Sequence, residues 1–94
     1  MLKFLIEVSH GDNRVECLHS VAILLSSGSH FLTHAEFGCM DGVHKSWLFM
    51  DADSKEEALR VVPQSYRKFA KITQLNRFKL QDVEELLKHH EARI

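Results

Sequence analysis

Over residues 3–9 (KFLIEVS) apolar and polar positions alternate, with Phe4, Ile6 and Val8 on one side and Lys3, Leu5 and Glu7 on the other. Period two marks a strand with one buried face. Gly11-Asp12-Asn13 is a turn cluster in which Asp12 or Asn13 is placed to cap a following helix. From Arg14 to Ser27 the apolar positions Cys17, Leu18, Val21, Leu24 and Leu25 recur at helical spacing, and Gly28 stops the run.

His30 to Met40 and Val43 to Asp51 are expected to be two further strands, joined by Asp41-Gly42. That dipeptide is a strong hairpin signal, because both positions of a type I′ turn need positive φ. A two-residue turn there pairs Met40 with Val43 and Cys39 with His44. Ser54-Lys55-Glu56-Glu57 reads as a capping box that opens a helix through Ala58, Leu59 and Val62. Pro63 kinks it or starts a second segment, Gln64 to Phe69. A fourth strand is expected from Lys71 to Phe78, and an amphipathic helix from Asp82 to His90 with Val83, Leu86 and Leu87 on one stripe.

The order is β-α-β-β-α-β with an added C-terminal helix, the split-βαβ or ferredoxin-like pattern of the α+β class, in one domain over residues 1–94. The right-handed crossover rule puts both main helices on one face of a four-stranded antiparallel sheet, in spatial order 4-1-3-2. The other face is left needing cover.

Composition narrows the function. Twelve basic and thirteen acidic side chains give a net charge of −1 with no basic stripe, which argues against nucleic acid and anionic membranes as partners. No apolar run approaches the roughly 20 residues of a membrane-spanning helix. The opening MLKFLIEVSH has too short an apolar core, and too early a Glu7, for a signal peptide, so a cytoplasmic location is expected. Two Cys and seven His are the unusual features.

On this topology His10 ends the apolar side of the first strand, Cys17 lies in the first turn of the first helix, and Cys39 faces His44 across the hairpin. The spacing H10-x6-C17-x21-C39-x4-H44 therefore converges at one end of the sheet, between sheet and first helix. Two thiols and two imidazoles form a tetrahedral metal ligand set, zinc before copper, nickel or iron. Asp41 or Glu16 is near enough to orient an imidazole from outside that set. The plainer reading makes Cys17 and Cys39 core residues and the two His hydrogen-bonded strand ends. A second constellation, His34, Glu36, Trp47 and Lys45, falls on the opposite face, where His34 could act as a base oriented by Glu36. On that same face Leu32, Trp47 and Phe49 would instead anchor a homodimer.

Four stretches, IEVSH at 6–10, GSHFLTHAEFGCMDGVHKSW at 28–47, DSKEEALRVVP at 53–63 and LNRF at 75–78, resemble short bacterial proteins of the ferredoxin-like, dimeric α/β-barrel type. More distantly the architecture is similar to muconolactone-isomerase-type and small monooxygenase-type dimers. The resemblance implies a fold and a sheet-to-sheet dimer, and assigns no catalytic residue. Three readings follow: a small homodimer with a Cys/His metal site, a metal-free barrel binding a small molecule on the His34/Glu36 face, and an interaction domain.

Overall fold

The computed structural model describes residues 1–91, the side chains of Ser29, Leu32 and Glu91 excepted. The alternating segment forms β1 (Leu2–Ser9), the helical run forms α1 (Arg14–Ser26), and a short α2 (Ser29–His34) follows directly. Then come β2 (Glu36–Phe37), a 3₁₀ turn (Cys39–Asp41), β3 (Lys45–Ala52) and α3 (Lys55–Leu59). A 3₁₀ segment (Gln64–Phe69), β4 (Ala70–Leu75) and α4 (Leu80–Glu91) complete the chain.

The strands make one antiparallel sheet in the order β2-β3-β1-β4, which is the expected 4-1-3-2 read from the opposite edge. Phe4, Ile6 and Val8 pair with Met50, Leu48 and Ser46 on β3, and with Gln74, Ile72 and Ala70 on β4. Cross-strand partners share a face, so one face of the sheet is apolar through its centre. Phe4, Ile6, Val8, Leu48 and Ala52 are fully or almost fully buried there, beneath Leu24 of α1, Phe31 of α2, Ala58 of α3 and Val62.

The capping signals are used as the sequence implies. Asn13 Oδ1 accepts from the Glu16 amide at 2.9 Å, and Ser54 Oγ accepts from the Glu57 amide at 3.1 Å. Glu57 returns a carboxylate oxygen to the Asp53 amide at 2.9 Å, so the box closes one residue early. Within α1 the inward stripe is Cys17, Ser20 and Leu24, at i, i+3 and i+7, while Leu18 is exposed. Tyr66 Oη donates to the buried Ser20 Oγ at 3.0 Å, which ties the 3₁₀ segment to α1.

Three expectations fail. Residues 30–40 are not a strand: 29–34 are helical, and β2 has only two residues. Phe31 and Ala35 are the inward positions of this stretch, and a spacing of four satisfies both helical and strand periods. The Ala35 amide bonds the Phe31 carbonyl at 3.2 Å, the helical choice. Nor is Asp41-Gly42 a type I′ turn, because only Gly42 has positive φ, at 79°. The ladder keeps the anticipated register, Glu36 with Trp47 and Phe37 with Ser46. Beyond Gly38 the chain leaves it for the 3₁₀ turn, so Cys39 is not a strand partner of His44. The fourth strand also ends early, at Leu75.

Candidate metal centre

Three separate segments meet at one end of the sheet. β1 ends at Ser9, and the next amide, of His10, bonds the His44 carbonyl at 3.1 Å, just before β3 begins. This bond extends the β1–β3 ladder by one step and brings the two histidines together, with ring centroids 6.0 Å apart at 80°. The Asn13 cap starts α1 close by, so Cys17 faces inward from its first turn and is buried. Cys39 opens the 3₁₀ turn, which Asp41 and Val43 amides stabilise by bonding the Gly38 carbonyl at 3.0 Å each.

Ligand atoms of His10, Cys17, Cys39 and His44 all lie within 4.8 Å of one another. His10 Nε2 is 3.0 Å from Cys39 Sγ and 3.2 Å from Cys17 Sγ. A tetrahedral ion with bonds of about 2.0–2.3 Å has ligand–ligand edges of roughly 3.3–3.8 Å. The two His10 contacts are slightly shorter than those edges, and the bound of 4.8 Å on the whole set is about an ångström longer. The set is the one expected from spacing. The hairpin pairing that argued for Cys39 is replaced by the 3₁₀ turn, which delivers the thiol to the same place.

The electrostatics are those of the metal-free site. Burial lowers the pKa of His10 below its ordinary value, His44 beside it acts in the same direction, and the Val8 backbone opposes them. Its imidazole is therefore neutral near pH 7, the form that ligates metal. Burial, and then the neighbouring Cys17, push the Cys39 thiol up to about 11. With protein groups alone this thiol stays protonated, and a cation is what would release its proton. The Nδ1 atoms of His10 and His44 are both buried with no hydrogen-bond partner. The site is thus polar, partly buried and short of hydrogen-bond partners at both Nδ1 atoms.

Two clefts flank it. One, of about 460 Å³, is lined by Cys17, Cys39 and His44 with Asp12, Arg14 and Met40 among its other walls. The other, of about 400 Å³, has His10, Glu16, Tyr66 and Phe69. Glu16 packs against Gly11, and Asp41 is exposed in the 3₁₀ turn; neither bonds an imidazole. No match to this chain is found among protein-family models, curated proteins or solved structures.

The second constellation does not assemble. His34 ends α2 with Nδ1 2.6 Å from its neighbour's Thr33 Oγ1, over a shallow hollow of about 240 Å³ with His30, Phe49, Met50 and Asp51. Glu36 lies on β2 opposite Trp47, and no hydrogen bond joins it to His34 among the described residues. Trp47 Nε1 donates instead to Glu7 Oε1 at 3.0 Å, and Lys45 Nζ is 3.9 Å from the same oxygen. Sequence reasoning missed Glu7 as the partner of Trp47. The signal was present, since a strand pairing antiparallel to β3 places Glu7 directly across from it. Of the proposed interface anchors, Trp47 is half-buried and Phe49 exposed on the outer face; the Leu32 side chain lies outside the described residues.

Proposed function

We propose that this protein binds a transition-metal ion, zinc first, through His10, Cys17, Cys39 and His44. The observation that carries this reading is the convergence of four soft and borderline donors from three chain segments within 4.8 Å. Two thiols and two imidazoles with no carboxylate among them suit zinc better than magnesium or calcium, whose ligands are oxygens. With all four side chains engaged the ion has no open position, so its role is to lock the β1 end, α1 and the 3₁₀ turn together. The metal-free, small-molecule reading loses its support because His34 and Glu36 are not joined.

The order of the sheet and the placement of helices on one face also support a ferredoxin-like domain, and the uncovered Phe49 on the outer sheet face supports its pairing through that face. No described helix is long and apolar enough to cross a membrane.

The deciding experiment is a cobalt(II) titration of chelator-stripped, reduced protein, followed by zinc competition. Intense ligand-field bands with a thiolate charge-transfer band, displaced by one equivalent of zinc and lost in Cys39→Ser, are expected. Absence of those bands in the wild-type protein would reduce the four residues to core packing.

A further inference from the structure

Two apolar surfaces of this chain are uncovered, and we propose that they cover each other between two copies: α4 of one copy lies across the outer sheet face of the other, reciprocally. The inference rests on the sheet-face association proposed above and names the element that fills it. It is independent of the metal.

The helix itself demands a partner. α4 makes no substantial packing contact with any other element among the described residues. Leu80, Val83, Leu86 and Leu87 nevertheless recur at i, i+3, i+6 and i+7, one stripe of a 3.6-residue helix. Leu86 and Leu87 are each more than half exposed. The outcome is an elongated molecule, 55 Å in its longest extent, with a radius of gyration of 17.2 Å. A compact chain of this length has about 12 Å. A helix of this length gains too little from propensity alone to hold its shape without a packed face.

The sheet supplies a matching surface. Register places Phe49, Leu5 and Thr73 in one row across the outer face. Lys71 stands in the Glu7 row on one side of it, and Lys3 stands on the other with Asp51 and Leu75. The Lys3 and Glu7 rows are four residues apart on β1, about 13 Å at strand rise, which admits one helix about 10–12 Å across. Helical geometry puts Asp82 and Glu84 on opposite borders of the α4 stripe. Seated on the row, the helix brings one acid toward Lys71 and the other toward Lys3. Of the two acids in these rows, Glu7 is engaged by Trp47 Nε1 and Lys45, and Asp51 is the register partner of Lys3 itself.

The occupant is a second copy because one exchange buries both orphan surfaces twice under a two-fold axis. A standard stable interface buries roughly 1,600 Å², and the reciprocal exchange doubles the area that one helix-on-sheet contact covers.

Light scattering should give a dimer at micromolar concentration. Leu86→Arg with Leu87→Arg should give a monomer with red-shifted emission from Trp47, the only tryptophan. Both leucines are exposed in the single copy, so unchanged far-ultraviolet dichroism would exclude misfolding as the cause. A charge exchange at low salt tests the contact between copies directly. Copies with Lys3→Glu and Lys71→Glu, and copies with Asp82→Lys and Glu84→Lys, should each be monomeric alone and dimeric when mixed. A monomeric wild type would overturn both this inference and the sheet-face association. A dimer that survives the double arginine variant with Trp47 emission unmoved would overturn the α4 placement and leave sheet-face association standing. No dimer on mixing the charge-exchanged copies would likewise overturn it.

Discussion

His10 Nε2 and Cys39 Sγ stand 3.0 Å apart although 29 positions separate them in the chain. Such a contact between an imidazole and a thiol is worth about 1 kcal/mol as an ordinary hydrogen bond. With Cys17 and His44 beside it, the same contact is one edge of a metal polyhedron. The two roles differ in size. Zinc at a thousand times its Kd should stabilise the folded chain by about 4 kcal/mol, provided the unfolded chain does not bind it. Thermal unfolding in matched zinc and chelator samples measures this, and Cys17→Ser, Cys39→Ser and His44→Ala should each remove most of the increment. Equal melting temperatures with and without zinc would show that the ion does not bind the native state.

The metal-free protein should be most stable between about pH 6.5 and 9. His10 has a folded-state pKa below its ordinary value of 6.5, so on acidification the unfolded chain takes up that proton first. Its contribution is present above pH 6.5 and is lost as pH falls through the folded value. Cys39 has the opposite sign: raised from 9.0 to about 11, its contribution is full below pH 9 and fades as pH rises toward 11. Urea midpoints of chelated protein across this range test both limbs. Cys39→Ser should flatten the alkaline limb and leave the acid limb in place.

Most of the architecture was legible because its signals are local and of one period. The β1 alternation, the Asn13 cap, the Ser54 box and the Cys17 side of α1 each follow from a few neighbouring residues. The segment 29–34 was not legible, since Phe31 and Ala35 lie four apart and suit either period. The candidate metal site does not depend on the type of turn. The Glu36–Trp47 register fixes where the two arms stand, and either turn spanning them leaves Cys39 near His44. The His34/Glu36 pair depended on a continuous strand, and it was lost when that strand shortened to two residues.

Gly42 tests the turn by itself. Its φ of 79° lies in the left-handed region, and an added Cβ would meet nothing within 4 Å. Gly42→Val should therefore cost about 1–3 kcal/mol from backbone strain alone. Gly42→Asn should cost less, because Asn tolerates this conformation. Chemical denaturation of the three proteins ranks them, and equal stabilities would mean that the turn is free to adopt another shape.

Phe31 tests the helix that replaced the expected strand. Its ring is 1% exposed and packs into the main core from α2, so Phe31→Ala should destabilise by about 3–5 kcal/mol. His30→Ala, an exposed position on the same turn, should stay within about 0.5 kcal/mol. Similar losses at the two positions would argue that 29–34 does not pack as a helix against the sheet.

Gly38 couples the outer face to the candidate metal site. Its backbone, at φ −97°, is open to any residue, so a substitution there is resisted by space and not by conformation. A Cβ at this position would come within 2.8 Å of both the Trp47 ring and the Val43 carbonyl oxygen. The indole cannot move freely, being held by its bond to Glu7. The carbonyl cannot either, since the Lys45 amide bonds it at 2.9 Å and the Val43 amide bonds Gly38 itself. Gly38→Ala should thus cost about 1–3 kcal/mol as overpacking. It should also displace the 3₁₀ turn that presents Cys39, weakening cobalt binding though no ligand is altered. In the double variant with Trp47→Leu the ring is gone while the carbonyl clash remains, so stability should recover in part and show a coupling energy of about 0.5–3 kcal/mol. Additive losses would place Trp47 away from the turn and would separate the sheet face from the site.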